Sequence, residues 1–152
     1  MIAKLDHKDE QVALRIRKVF QASYAVEAKL LGAENNFPPL KRPLSGFLNA
    51  ETEFYGYQKG EHIAGVIEIK AEAEKIHIQS LVVSPDFFRQ GIASELLIFL
   101  FHNFQSEEYT VETGAANGPA IALYERFGFK QVKQWMTEVG IEKVAFVKVF
   151  EP

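Results

Sequence analysis

Gly91, Ala93 and Ser94 follow an apolar run that stops at Pro85, within residues 81–97, LVVSPDFFRQGIASELL. A strand, a glycine turn and a helix N-terminus in that order present several unpaired backbone N–H groups to one anion. Small residues let a phosphate approach the main chain closely, and Arg89 adds a charge-assisted contact. The stretch therefore reads as a turn that holds the pyrophosphate of a cofactor, with the rest of the chain completing a site around it.

Whole-chain properties narrow the alternatives. With 152 residues, positions 1–152 read as a single domain with a substantial core. A net charge of −3, from 17 Lys and Arg against 20 Asp and Glu, argues against a nucleic-acid or anionic-lipid partner. There is no Cys, so disulfides, thiolate metal sites and a Cys nucleophile are excluded. His7, His62, His77 and His102 lack metal-ligand spacing, and no metal is expected. Ser80, Ser84 and Ser94 lie outside any nucleophile elbow. The start has no apolar signal core and no apolar run suits a membrane, so a cytoplasmic protein is expected.

Hydrophobic periodicity supplies the elements that must position the turn. Residues 1–5 read as a strand, and Asp6 is expected to cap a helix with Asp9 and Glu10 in its first turn. Its stripe of Val12, Leu14, Ile16, Val19 and Phe20 is expected to end near Tyr24, with a second helical piece over 25–31 stopped by Gly32. A breaker-rich loop over 35–43 and a short helix over 44–49 follow. Strands are expected over 53–58, 63–70 and 75–84. Val66, Glu68 and Lys70 alternate with Ile67 and Ile69, which gives the second of these one wetter face.

Beyond the turn, Ile92, Leu96, Leu97, Leu100, Phe101 and Phe104 recur at helical spacing, and 109–113 reads as a short strand ending at Gly114. Asn117 or Gly118 caps a further helix with Pro119 at its first position, and Gly128 ends it. Residues 129–138 and 143–150 close the chain as an antiparallel pair. This order predicts an α/β (α+β) fold: one mixed, mainly antiparallel sheet of six to seven strands with helices on both faces.

Two segments resemble the signature motifs of the GCN5-related N-acetyltransferase superfamily. The pyrophosphate motif, Gln/Arg-x-x-Gly-x-Gly/Ala after a strand, is similar to Phe88-Arg89-Gln90-Gly91-Ile92-Ala93. The downstream motif, Asn-x-x-Ala-x-x-Leu-Tyr-Glu-x-x-Gly-Phe, is matched by Asn117, Ala120, Leu123, Tyr124, Glu125, Gly128 and Phe129. A glycine motif alone is weak; two in order, each in a strand-to-helix context, are specific. The likeness covers residues 52–130 well, and the N-terminal third by helix order alone. One position departs: Phe88 stands where the family has Gln or Arg, with Arg89 beside it.

The resemblance implies acetyl transfer from acetyl-CoA to an amine. It implies that Leu81, Val82 and Val83 pair with the pantetheine arm, and that an amide near Val82 or Val83 polarises the carbonyl. The diphosphate would be held by residues 88–94, Ser94 included, with Asn117 and Tyr124 completing the cofactor site. Tyr124 carries over as the acid that protonates the departing thiolate; its plain structural reading is a packed aromatic.

An alkylammonium is neutral at pH 7 in roughly one molecule per few thousand, so its proton needs an acceptor. Glu112 is similar in position to the glutamate base of bacterial ribosomal-protein N-terminal acetyltransferases. His77 falls where the histone acetyltransferase branch has its glutamate, and Glu68 lies on the adjacent strand. Each has a plain reading as a strand-end charge, a half-buried histidine or a surface residue, and a water chain without a dedicated base stays open. The acceptor pocket is expected from residues 31–47, the acceptor being a small-molecule amine or a peptide N-terminus. A monomer or a homodimer is expected. The rival readings are a non-catalytic CoA-binding sensor or interaction module and a plain nucleotide-binding domain.

Overall fold

The computed structural model describes residues 1–150. Its strands are β1 (Ile2–Leu5), β2 (Glu53–Lys59), β3 (His62–Glu72), β4 (Lys75–Val83), β5 (Glu108–Gly114), β6 (Lys130–Met136) and β7 (Glu142–Val149). They form one seven-stranded sheet in the order β1-β2-β3-β4-β5-β7-β6. Every neighbouring pair is antiparallel except β4 and β5. Helices α1 (Glu10–Leu30) and α2 (Leu44–Leu48) cover one face, and α3 (Ile92–Asn103) and α4 (Gly118–Arg126) cover the other.

The parallel pair sets the position of everything functional. β4 and β5 are joined only from Lys75 opposite Glu108 to Ile78 opposite Val111. At that point the β3–β4 register shifts: Ile69 faces Ile78 and Glu68 faces Ser80, leaving Gln79 as an extra residue on β4. A bulge bends and twists its strand. Beyond it β4 continues to Val83 beside β3 alone, while β5 continues to Gly114 beside β7 alone. The sheet splits there.

Three expectations are corrected. Asp9, not Asp6, is the N-cap of α1: its carboxylate accepts from Gln11 N at 2.9 Å and Val12 N at 3.2 Å, while Asp6 closes the preceding turn. α1 also does not break at Tyr24. It runs unbroken to Leu30 because no Gly or Pro interrupts it and Ala22, Ala25 and Ala28 favour continuation. Finally, β3 has no wetter face. From Ile63 to Ile69 every residue is buried, because Ile67 and Ile69 meet the α3 core while Val66 meets the α1 core. No helix among the described residues is long and apolar enough to cross a membrane.

Candidate active site

A cleft of about 1000 Å³ opens where β4 and β5 part, lined by both strand ends, by the C-terminal half of α1 and by the first turns of α3 and α4. One wall is a free strand edge. Ser84 N donates to Ala64 O at 2.8 Å, and peptide groups alternate sides along a strand, so the Val82 groups also face β3. The peptide groups of Leu81 and Val83 therefore point to the open edge. This corrects the expectation for Val82, whose peptide is used by β3 and whose side chain is buried in the α1 core.

At the end of that wall, α3 begins without a side-chain cap. Gly91 is its N-cap residue at φ 75°, whereas α1 is capped by Asp9 and α4 by Asn117. The first-turn N–H groups of a helix have no intrahelical partner, and Ile92, Ala93 and Ser94 line the cleft. A Cβ at Gly91 would meet no atom within 4 Å. Arg89, at φ 64°, is the sole non-glycine residue with positive φ among the described residues, a conformation that costs about 1–3 kcal/mol. Uncapped amides, a bare glycine and the rim cations Arg89 and Arg126 fit a diphosphate.

The remaining turn residues divide. Phe88 is exposed and lines the cleft, presenting a ring where an amide or guanidinium was the family pattern. Gln90 turns its side chain out, accepting from Lys59 Nζ at 2.5 Å. Ile92 is buried in the α3 core, so only its backbone is available.

Tyr124, on the inner face of α4, is 4% exposed and reaches the cleft floor between Phe129 and Phe146. Burial holds its phenol well above the ordinary 10.0, and Tyr24 and Glu27 push the same way. The hydroxyl therefore keeps its proton at neutral pH.

The three proposed bases lie in different surroundings. Glu112 lines the cleft and pairs with Lys143 at 3.1 Å. His77 stands outside the lining, its Nδ1 2.7 Å from Thr110 Oγ1; burial lowers its pKa from 6.5, against the pull of Glu112. Glu68 is 1% exposed and fully engaged. Arg42 donates to both of its oxygens at 2.8 and 3.0 Å, Thr52 Oγ1 at 2.6 Å and Ser80 Oγ at 3.0 Å. The Arg42 guanidinium lies over Phe47, 4.2 Å from the ring centroid, and also donates to Gly46 O at 2.9 Å. Glu68 thus anchors the loop that walls the cleft and has no oxygen left for a substrate.

Sequence reasoning missed Glu27 and Tyr24 of α1, which both line the cleft. Asn117 Nδ2 donates to Glu27 Oε1 at 2.5 Å. Burial raises the Glu27 pKa above 4.5, opposed by the Asn117 bond, by Lys143 and by the Thr113 hydroxyl. A signal was present: Glu27 falls on the stripe Ala13, Ile16, Phe20, Tyr24, Leu31, where an acid interrupts an apolar face. Gly114 lets this end of α1 dock, because a Cβ there would stand 2.5 Å from Leu31 Cδ2.

Comparison with known proteins agrees with this fold. The chain is 34% identical over 142 residues to the UPF0157 protein YqkA of Bacillus subtilis, covering 93% of this chain and 41% of YqkA. It thus spans about two fifths of that relative's length. An N-alpha-acetyltransferase of Sulfurisphaera tokodaii is 27% identical over 141 residues, covering 83% of this chain and 84% of its own. The fold matches the Thermoplasma acidophilum PaiA N-acetyltransferase solved in complex with coenzyme A, with a TM-score of 0.74 and 19 in 20 or more residues of each chain covered (99% and 98%) at 18% identity. The model of the acetyltransferase (GNAT) domain matches residues 8–150. With its split sheet, its uncapped glycine turn and this match over nearly its whole length, the chain belongs to the GNAT acetyltransferase family.

Proposed function

We propose that the protein transfers an acetyl group from acetyl-CoA to a primary amine. The observation that carries this reading is the uncapped first turn of α3 opening onto the same cleft as the free edge of β4 and the Tyr124 phenol. When bound, acetyl-CoA supplies the acetyl group as an activated thioester. The first-turn amides of α3 would hold its diphosphate, and the Leu81 and Val83 peptide groups its pantetheine arm. The Leu81 amide, further along the free edge from the diphosphate turn than Val83, is a donor for the carbonyl oxygen.

Tyr124 donates a hydrogen bond to the departing sulfur. A thiol ordinarily titrates near 8.5, well below this phenol, so outright proton loss from Tyr124 to a thiolate is uphill. The phenol therefore works as a relay, taking a proton from the acceptor nitrogen as it gives its own to sulfur. The relatives support the amine: one is named an N-alpha-acetyltransferase, and PaiA is an N-acetyltransferase with coenzyme A bound.

The test is thiol release from acetyl-CoA over a panel of primary amines and peptide N-termini. Wild-type protein is expected to turn over, and Tyr124→Phe to lose about 10²–10⁴-fold in kcat while CoA still binds. CoA binding without turnover on any amine would favour a non-catalytic CoA-binding module instead. Stabilisation by ATP or NAD, with none from CoA, would favour a plain nucleotide-binding domain.

A further inference from the structure

We propose that Glu27 receives the acceptor's ammonium and takes its proton, and that the acceptor is an amine on an apolar group bearing no carboxylate. This rests on the transferase reading above. Among the described residues Glu27 takes part in no ion pair. It is nevertheless drawn off solvent, lines the cleft and is held in place by Asn117. A desolvated carboxylate with no cation in ion-pair contact, Lys143 acting on it only from further off, and facing open space, is the environment that an ammonium completes. Tyr24 on α1, Tyr124 on α4 and Lys143 on β7 are the titratable groups that act on it.

The walls around Glu27 set the rest of the acceptor. Leu30, Leu31, Phe37, Pro39, Val139 and Ile141 line that end of the cleft. Phe37, Ile141 and Ala28 form one small core there, which fixes the α1 end, the following loop and the β6–β7 turn against one another. The two cations on this side are both occupied: Arg42 by Glu68 and Lys143 by Glu112. An acceptor carboxylate would find no free cation and would face Glu27 and Glu112, an arrangement that like-charge repulsion penalises.

The step balances as follows. The ammonium R–NH3⁺ gives one proton to the Glu27 carboxylate, which later releases it to solvent. The amine nitrogen then forms a C–N bond to the acetyl carbon and the C–S bond breaks. The nitrogen's second proton passes to Tyr124 as the Tyr124 proton passes to sulfur. One amide, one thiol and one released proton result.

The experiment measures kcat/KM against pH for wild type and Glu27→Gln. It uses apolar primary amines and peptide N-termini, each beside an analogue carrying a carboxylate on the same carbon, with CoA affinity read by calorimetry. Wild type should favour the uncarboxylated member of each pair by about tenfold or more. Glu27→Gln should lose about 10²–10⁴-fold in kcat/KM at pH 7 with CoA affinity unchanged. The deficit should shrink towards pH 10, where the amine is neutral without help. A uniform loss at all pH values, or full activity of Glu27→Gln at pH 7, or indifference to the carboxylate, overturns the inference and leaves the transferase reading standing. CoA binding with no thiol release by wild type on any acceptor sinks both. If Glu27→Gln does not fold, Glu27→Asp takes its place and should show a smaller loss with the same pH trend.

Discussion

Asn117 ties together two helices ninety residues apart in sequence: its Nδ2 donates to Glu27 Oε1 at 2.5 Å while its Oδ1 accepts from Ala120 N at 3.3 Å. One amide therefore caps α4, which carries Tyr124, and holds the α1 carboxylate on the opposite side of the cleft. The motif asparagine is thus an organiser of the site, with its hydrogen-bonding groups turned to the protein.

Replacing Asn117 should act on both helices at once. Asn117→Ala is expected to cost about 1–2 kcal/mol in urea unfolding through loss of the cap. It should also raise the Glu27 pKa further, because the bond it removes favours the charged form. Carboxyl-carbon NMR of Glu27 reads the second effect; an unmoved titration would mean that the two side chains are not coupled.

The Arg42–Glu68 pair makes a second prediction. Arg42→Leu leaves a carboxylate that is 1% exposed without its cation, and should destabilise the fold by about 3–5 kcal/mol. The double variant Arg42→Leu/Glu68→Leu should recover much of that loss, since the cost lies in the orphaned charge. Equal instability of the single and double variants would show that the stacking of Arg42 over Phe47 matters more than its charge.

Stability should also depend on pH through Glu27. Its pKa in the folded protein is raised above 4.5 by burial, so the folded protein binds this proton more tightly than the unfolded chain. The resulting stabilisation is fully present below 4.5 and is lost as pH climbs through the raised value. Glu27→Gln removes that loss. Urea midpoints should show the variant gaining on wild type from pH 4 to pH 8, and a constant difference would contradict the assignment.

What the sequence disclosed follows from how local each feature is. The glycine turn at 88–93 and the capped helix at 117–128 are contiguous motifs, and strand-turn-helix chemistry is written within a few residues of each. The pairing of Glu68 is not local. Its partners Arg42, Thr52 and Ser80 come from three other segments, so alternation along β3 suggested a wet face where a fully satisfied buried ion pair stands. Glu27 broke the apolar stripe of α1, but its surroundings depend on Asn117 and Tyr124 arriving from the far end of the chain. The bulge at Gln79 that splits the sheet has no residue signature at all.

Amide NMR on titration with coenzyme A tests the central claim most directly, with pantetheine, which lacks the diphosphate, as the control. Saturable shifts at Gly91, Ile92, Ala93 and Ser94 with coenzyme A, and none at those amides with pantetheine, are the predicted result. Binding of coenzyme A that leaves these four amides unmoved, or no binding at all, would contradict the account.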